Sequence, residues 1–432
     1  MGTQPKTPAS RSLALQVIEH TLQGQDLQSA LSQALSRYAQ DAQDRRLITH
    51  LAYGYFRTKI RLDFILGHFL GKRSTPLPRG MHLALTLGIY ELCWMSRIPA
   101  YASVNWYVQR IKKRFSQQMG GLANAVLRNV ARNASDLMTP SFYTQDAPPE
   151  RIFLSRYFAC PQWVVDLVSA AYTPEQARFM LQRSLHPPPV GLRFPPASQP
   201  GMQLMHHLRS SQKVIARTSH ALALEQIPVQ EVQEAEQIGL VTRQSLAAQR
   251  ALLHFEPRTW PVPLWDACAG RGLKTGHLLE LGCTELWASD IHGLKVRTCR
   301  SELGRLGHFP IPLFVANACV PPVRPERPGT ILLDVPCSGL GVLSRRPDIK
   351  AKRREQDLLG LINLQKIMLT SCLALLPPGG RLIYITCTVN PAENEELISS
   401  ALSSCTGHIL DMVSPRLESS LGEYFFTACI QK

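Results

Sequence analysis

Two cysteines stand where side chains could take part in chemistry. Cys337 lies in the segment DVPCSG (334–339), and Cys387 lies in the segment TCT (386–388). Each segment follows a short apolar run that predicts a β-strand. A single cysteine in such a place is usually a small core residue. Two cysteines at consecutive strand ends, each followed by a hydroxyl residue and each opening a loop, indicate a reactive site instead.

Two thiols beside a cofactor suit methylation of a pyrimidine. Carbon 5 of cytosine is a poor nucleophile toward a methyl sulfonium, but addition of a thiolate at carbon 6 converts it into an enamine carbon that can attack. The thiolate needs electropositive or hydrogen-bonding surroundings at neutral pH. After methyl transfer, the proton on carbon 5 must leave so that the enzyme thiol can be eliminated. An acid such as Asp334 would hold N3 and the 4-amino group of the base.

A glycine-containing turn predicts a site for a nucleoside cofactor. The segment DACAGRGLKT (266–275) lies between a predicted strand and a predicted helix, where backbone can approach a ligand and a helix N-terminus favours a carboxylate. Asp290 ends the next predicted strand, 20 residues after Gly270, where an acid can accept hydrogen bonds from ribose hydroxyls. The other interpretation is a glycine turn that serves only packing. The spacing from Gly270 to Lys274 is too short for a P-loop.

Strands and helices that alternate from residue 243 onward would position these segments. Such alternation predicts a parallel, doubly wound, Rossmann-like sheet with helices on both faces, which binds ligands beyond the carboxyl ends of its strands. The predicted strands are 264–269, 286–290, 313–316, 331–335 and 382–386. The predicted helices are 274–282, 293–306, 355–376 and 391–403.

The first third of the chain predicts an all-helical domain. Leu27, Leu31 and Leu35 repeat at helical spacing, and no strand-like alternation competes between residues 10 and 135. Residues 137–150 have the composition of a linker, 161–181 predict a further helical stretch, and 200–240 fit a small α/β unit. We therefore predict three parts. They are a helical RNA-binding domain (1–138), a linker with a small α/β RNA-binding region (139–240) and a catalytic domain (241–432).

The charge of the chain suits a polyanionic partner. The formal net charge is +15 and the pI is about 9.5. Residues 1–135 hold 18 Lys or Arg against 6 Asp or Glu, so most of the excess lies in the helical third. A localised basic face indicates nucleic acid better than a diffuse one does. The candidate RNA contacts are Lys112, Lys113, Arg114, Arg345, Arg346 and Lys350; for the last three, a solvated helix face is the alternative.

The eleven cysteines are scattered and include no C-x-x-C pair. This pattern argues against a disulfide framework and against a zinc site, and it favours a reducing cytoplasm. The histidines have no metal-ligand spacing, so we expect no metal. The most apolar stretch, residues 83–95, is too short to cross a bilayer, and we expect a soluble protein with no membrane partner.

Two long segments carry a resemblance to a known family. ILLDVPCSGLGVLSRRPDIK (331–350) and TCTVNPAENE (386–395) resemble the NOL1/NOP2/Sun family of RNA cytosine-5 methyltransferases. The segments SLALQVIEH, LAYGYFRTKIRLDFIL, LALTLGIYEL, IPAYASVNWYVQ and ANAVLRNVAR are similar to its bacterial Sun (Fmu) type. That type methylates 16S ribosomal RNA and has a leading domain that resembles the antitermination factor NusB. The resemblance covers nearly the whole chain.

The resemblance implies roles for residues that match the family motifs. Cys387 would be the nucleophile, Cys337 would assist departure of the enzyme, and Asp334 would contact the cytosine or the methionine end of the cofactor. The implied cofactor is S-adenosyl-L-methionine, and the implied substrate is 16S ribosomal RNA, free or partly assembled, bound by a monomer. The cofactor contacts would be Cys268, Ala269, Gly270, Arg271, Gly272, Leu273, Lys274, Asp290, Asn317 and Asp334.

The chain departs from the family pattern at four places. Arg271 and Leu273 replace a proline and a glycine of the first loop, and Asn317 stands where an acid is common near the adenine. Residues 192–195 read LRFP in place of L-R-x-N, and Gln244-Ser245 lacks the acid of Q-D-x-S. The departures in the first loop affect how the cofactor is held there. The departure in LRFP affects a local RNA contact.

Three alternatives stay open at this point. Cys337 would be the nucleophile if the Pro-Cys motif worked as it does in DNA cytosine-5 methyltransferases, although Cys387 has no role in that scheme. The chain could instead be a non-catalytic RNA-binding or ribosome assembly protein. A methyltransferase acting on transfer RNA is the third alternative.

Overall fold

The structure, a computed structural model, describes residues 10–38, 41–71 and 76–432. The chain divides into two compact units. The first comprises residues 1–186 together with 346–353, and the second comprises 187–345 together with 354–432.

The first unit begins with six helices, as the helical spacing predicts. Asp26, Asp41 and Ser116 cap three of these helices, each accepting a hydrogen bond from a backbone N–H in the first turn. The buried faces of all six helices form one core. The helices are α1 (Ser10–Leu22), α2 (Leu27–Arg37), α3 (Ala42–Leu70), α4 (Arg79–Trp94), α5 (Ala100–Arg114) and α6 (Gln117–Arg132).

The segment predicted as a linker, 137–150, is more ordered than its composition indicates. It contains the 3-10 helix Pro140–Thr144, whose Phe142 and Tyr143 are buried in the core of the six helices. Three helices follow: α7 (Glu150–Tyr157), α8 (Gln162–Ala171) and α9 (Pro174–Arg183). The predicted stretch 161–181 is thus two helices, because Thr173 and Pro174 start a new one with a capping box.

A small antiparallel sheet opens the second unit, in agreement with the predicted α/β region. Its strands have the order β2-β3-β1-β4. Leu192, Leu208 and Leu222 belong to its buried core. The elements are β1 (Val190–Arg193), α10 (Gln199–Ser211), β2 (Val214–Arg217), β3 (Ala221–Leu224), α11 (Val229–Gln237) and β4 (Thr242–Arg243).

A seven-stranded sheet forms the rest of the second unit. The strand order is β10-β11-β9-β8-β5-β6-β7. The helix α15 is counted with the first unit. The elements are α12 (Leu246–Leu253), β5 (Leu264–Asp266), α13 (Leu273–Glu280), β6 (Leu286–Asp290), α14 (Gly293–Arg305), β7 (Leu313–Val315), β8 (Thr330–Asp334), α15 (Ile349–Lys352), α16 (Asp357–Leu375), β9 (Arg381–Thr386), α17 (Glu395–Leu402), β10 (His408–Val413) and β11 (Phe426–Gln431).

The sheet is mixed, which corrects the prediction of an entirely parallel one. Strands β5 to β9 pair in parallel, whereas β11 pairs antiparallel with β9 and β10 pairs antiparallel with β11. The sequence did not reveal these last two strands. Strand β10 is one of the two edge strands, and its first four residues are exposed, so its burial differs from that of a central strand.

Apolar side chains cover both faces of the seven-stranded sheet. Ile331 and Leu333 of β8 belong to one core cluster, and Leu332 between them belongs to another. This alternation is what a strand with helices on both sides requires. Helix α16 is long and apolar enough to span a membrane by length and composition. Its Leu369 and Cys372 are buried in the first cluster, so one face of α16 packs against the sheet.

Candidate active site

The site lies at the carboxyl ends of four adjacent strands, β9, β8, β5 and β6. Their last residues are Thr386, Asp334, Asp266 and Asp290. Because these strands are parallel neighbours, the loops that follow them meet at one edge of the sheet. The structure therefore brings the glycine turn, Asp290, Asp334 and both cysteine loops to the same edge, as predicted.

Two glycines fix the shape of the first loop. Gly270 has φ +58° and Gly272 has φ +86°, a region that L-residues with side chains rarely occupy. A Cβ on Gly272 would lie 2.7 Å from the Sγ atom of Cys299. Of the two unusual residues, Arg271 is exposed and Leu273 begins α13 in helical conformation. Both positions that require glycine are thus occupied by glycine.

Asp290 links the first loop to the start of α14. Its Oδ2 accepts a hydrogen bond from the backbone N–H of Gly270 at 3.2 Å, and its Oδ1 accepts one from the N–H of His292 at 2.9 Å. Lys295 lies 3.4 Å from the same carboxylate. The acid is therefore held beside the glycine turn, where a ribose would approach.

Asn317 lies in the loop that follows β7, the strand next to β6. The side chain of Asn317 is exposed and accepts a hydrogen bond from the N–H of Cys319 at 3.0 Å. Ile291 and Val315 are 54% and 58% exposed. The sequence did not single out these two apolar side chains. Ile291 follows Asp290 directly in the chain, but only the pairing of β6 with β7 places Val315 opposite Asp290.

Lys274 and Asp334 form an ion pair within the site. Burial alone would lower the pKa of Lys274, but the Asp334 carboxylate outweighs burial and the pKa is raised. The ammonium group therefore stays charged at neutral pH. Cys387 adds to the same effect, so the cation of Lys274 is close enough to interact with that thiol.

The sulfur atoms of Cys337 and Cys387 lie 3.3 Å apart. The hydrogen bond with Cys387, followed by burial, raises the pKa of Cys337 well above its usual range. Either sulfur can donate the hydrogen bond that joins the two thiols.

A buried carboxylate, Glu393, ties the two cysteine loops together. Glu393 is fully buried and accepts hydrogen bonds from the backbone N–H of Ser338 at 2.7 Å and from the hydroxyl of Thr388 at 3.3 Å. The side chains of Gln365 and Asn390 donate to it at 3.0 and 3.1 Å. Ser338 and Thr388 each follow a cysteine, so Glu393 fixes both backbones. The sequence showed an acid here without revealing this role.

Asp266 is a second buried acid that the sequence did not single out. One oxygen accepts a hydrogen bond from Thr275 at 2.6 Å, and Oδ1 has no partner among the described residues. Burial raises the pKa of Asp266 to about 7. An unpaired buried acceptor costs free energy, which a donor on a bound ligand or a water would offset. This orphaned atom beside the glycine turn fits a ligand that carries an ammonium group, as the methionine end of S-adenosylmethionine does.

Arg193 connects β1 of the small sheet to the first loop. It is 1% exposed, binds Glu280 through Nε and Nη2 at 2.6 and 2.9 Å, and donates from Nη1 to the carbonyl of Leu273 at 2.9 Å. Gln244 also accepts from Nη1. The LRFP segment and Gln244, noted for their departures, thus position the beginning of α13 in this structure.

The predicted RNA contacts are in different surroundings. Lys113 and Arg114 are exposed at the end of α5, and Lys112 is half-buried. Arg345 pairs with Glu423 in the second unit, and Arg346 pairs with Asp26 and Asp348 in the first.

Lys350 does not face a solvent-exposed RNA path, contrary to the prediction. It is 6% exposed, and its ammonium group donates to the carbonyls of Arg57, Phe158 and Ser184 at 3.4 to 3.5 Å. Burial lowers the pKa of Lys350 to about 8. The sequence could not show this, because the three carbonyls come from distant parts of the chain.

The fold and the site define a class of protein. A Rossmann-like sheet with this glycine turn, joined to a helical domain, is the architecture of an S-adenosylmethionine-dependent methyltransferase with a NusB-like domain. In agreement, residues 252–422 match the family model described as 16S rRNA methyltransferase RsmB/F, and residues 8–132 match the NusB family.

Curated relatives narrow the class to one family. The ribosomal RNA small subunit methyltransferase B of Vibrio cholerae is 32% identical over 87% of this chain and 86% of its own length. The protein of the same name from Escherichia coli is 31% identical over 91% of this chain and 89% of its own. The chain belongs to the family of ribosomal RNA small subunit methyltransferases B.

Solved structures support the fold. The structure titled PH0851 covers all of this chain and all of its own, with a TM-score of 0.76 and 19% identity. A methyltransferase homolog from Pyrococcus horikoshii covers 66% of this chain and 99% of its own, with a TM-score of 0.55 and 22% identity. At these identities the likeness concerns the fold.

Proposed function

We propose that this protein transfers a methyl group from S-adenosylmethionine to carbon 5 of a cytosine in 16S ribosomal RNA, through a covalent bond between Cys387 and the base. The observation that carries this proposal is the pair of thiols 3.3 Å apart at the edge of the sheet that also carries the Lys274–Asp334 ion pair, and the TCT motif supports Cys387 as the nucleophile. The names of the curated relatives support the choice of 16S ribosomal RNA.

The reaction begins with the thiolate of Cys387, which Lys274 stabilises. It adds to carbon 6 of the cytosine, and carbon 5 becomes nucleophilic. The cofactor supplies an electrophilic methyl group on a sulfonium. Asp334, held by Lys274, accepts a hydrogen bond from the 4-amino group of the base. A base within a stem must first be unpaired or flipped out to reach this edge.

Cys337 acts in the release of the product. Once Cys387 has formed a thioether, its sulfur no longer shares a hydrogen-bonding proton with Cys337. Cys337 gives its proton to solvent and, as the thiolate, takes the proton from carbon 5. The electrons of that C–H bond form the double bond between carbons 5 and 6, and the Cys387 thiolate leaves.

Binding of the cofactor is assigned to the first loop and the two strand ends next to it. Residues 268–274 approach the methionine end, together with Asp334. Asp290 receives the ribose hydroxyls, and Asn317 hydrogen-bonds the adenine. Ile291 and Val315, exposed beside them, offer apolar surface for the adenine ring. Residues 1–138 and 139–240 would bind RNA, and 241–432 would form the catalytic domain of a soluble, monomeric, cytoplasmic protein.

The test of this assignment is to trap the covalent intermediate. Cys337→Ala, incubated with 16S ribosomal RNA and S-adenosylmethionine, should accumulate a protein–RNA adduct on a denaturing gel, because release is blocked. Cys387→Ala should form no adduct. The control is Cys405→Ala, a partly exposed cysteine between α17 and β10, which should turn over without an adduct.

Other outcomes would change the assignment. An adduct with Cys387→Ala but not with Cys337→Ala would make Cys337 the nucleophile. The absence of an adduct in every variant, together with no methylation by the wild type, would favour a non-catalytic RNA-binding or assembly protein.

A further inference from the structure

A groove on the first unit has no role in the proposed chemistry. It has a volume of about 880 Å³ and lies along helix α5. Tyr101, Asn105, Gln109 and Lys113 repeat every four residues along α5, so they form a row about 18 Å long. The groove is within the size range of cavities that hold ligands, roughly 300–1,000 Å³.

The charge of the groove is strongly positive. Arg11, Arg110, Lys113 and Arg114 line it, and none of the lining residues is acidic. Arg11 is compensated, because it binds the buried Glu91 carboxylate at 2.8 Å. Burial, followed by the nearby charge of Arg114, lowers the pKa of Arg110. Cations that crowd one another in this way are stabilised by a polyanion that binds among them.

Aromatic rings lie among these cations. Tyr101 is 78% exposed, so its ring has an accessible face. The guanidinium groups of Arg11 and Arg110 lie 5.7 and 5.6 Å from the centre of the Trp106 ring. Asn105 is exposed at the next turn and offers both a donor and an acceptor. Proteins that bind unpaired nucleic acid combine these features: stacking rings, cations for phosphates and amides for base edges.

We propose that this α5 groove binds an unpaired stretch of RNA, with a base stacked on Tyr101 and phosphates on Lys113 and Arg114. The proposal rests on the proposed RNA substrate and adds a binding surface on the first unit. Charge complementarity favours RNA over a protein partner, because four of the lining residues are basic and none is acidic. In a duplex each base is stacked between its neighbours, which hides its faces from Tyr101, so single-stranded RNA is favoured.

The experiment measures binding of a fluorescent RNA of twelve nucleotides, made of adenine and uracil only, to the full-length protein without cofactor. Fluorescence anisotropy at several salt concentrations gives the affinity and its salt dependence. Tyr101→Ala should weaken binding about tenfold, whereas Tyr101→Phe, which keeps the ring, should not. The double variant Lys113→Gln/Arg114→Gln should lower the slope of log K against log salt by about 1.4.

The matched control is Arg128→Gln/Arg132→Gln, which removes two exposed charges from the neighbouring helix α6. Thermal unfolding confirms that each variant is folded. If Tyr101→Ala binds the RNA as tightly as the wild type, the proposal is wrong. It is also wrong if Lys113→Gln/Arg114→Gln lowers the salt slope no more than its control does. The groove would then be assigned to a partner protein. This RNA holds no cytosine, so the result is independent of methylation and of the trapping experiment.

Discussion

At the scale of single residues, the reactive pair depends on groups that do not react. Cys337 and Cys387 belong to loops after different strands, and their sulfur atoms meet only if both loops are held. Glu393 does this from a fully buried position, with four hydrogen-bond donors around its carboxylate. A buried carboxylate that accepts hydrogen bonds from four donors is stabilised by them. If the carboxylate is replaced by a neutral group, some of these donors lose their acceptor.

We expect Glu393→Gln to slow methyl transfer about 10- to 100-fold with little change in KM for RNA. The amide places an N–H group where the carboxylate accepts hydrogen bonds, so the two loops shift, and a shift near 1 Å is enough for such a loss. Single-turnover methylation measures the rate. The control Glu396→Gln removes an exposed acid from helix α17, which begins two residues after Glu393, and should behave like the wild type. A wild-type rate in Glu393→Gln would mean that Glu393 does not set the geometry of the pair.

At the scale of elements, the start of α13 decides how the first loop is shaped. Both glycines have a positive φ. A Cβ added to Gly272 would meet Cys299, whereas a Cβ added to Gly270 would have room. Arg193 adds a third constraint by binding the carbonyl of Leu273. The loop is therefore fixed by backbone conformation and by packing together.

Gly272→Ala should weaken binding of S-adenosylmethionine more than Gly270→Ala does. Both changes impose a strained backbone, at about 1–2 kcal/mol, but only the first also forces a Cβ within 2.7 Å of a sulfur atom. Titration calorimetry of the two variants measures the difference in Kd. Equal affinities would show that contact with Cys299 has no influence on the loop.

Elements that carry their own apolar pattern could be predicted from the sequence. The strands β5 to β9, the helices between them and the helical first third are examples, and the glycine turn and both cysteine loops were found with them. Features that depend on distant partners could not be predicted. The partners of Arg193 at Gln244 and Glu280 are 51 and 87 residues away, and Lys350 is enclosed by carbonyls 166 to 293 residues away. Strand β10 is exposed because it lies at an edge of the sheet. Its sequence does not reveal that position.

At the scale of the whole molecule, the proposed substrate can be tested in cells. Bisulfite sequencing of ribosomal RNA from cells with and without this protein should show one 16S cytosine whose resistance to conversion disappears in the deletion. A plasmid that carries the wild-type gene should restore it, and one that carries Cys387→Ala should not. Unchanged 16S sites together with a lost transfer-RNA site would move the substrate to transfer RNA.

Residues 346–353 constrain how the two domains could have been joined or exchanged at the level of the gene. This octapeptide follows the Cys337 loop in the chain, yet it is part of the helical unit, where Lys350 and Lys352 bind backbone carbonyls. A gene break or fusion between the two domains would therefore leave the helical unit without one of its own pieces. Recombination that kept the helical unit intact would have to carry these eight codons from the middle of the catalytic domain.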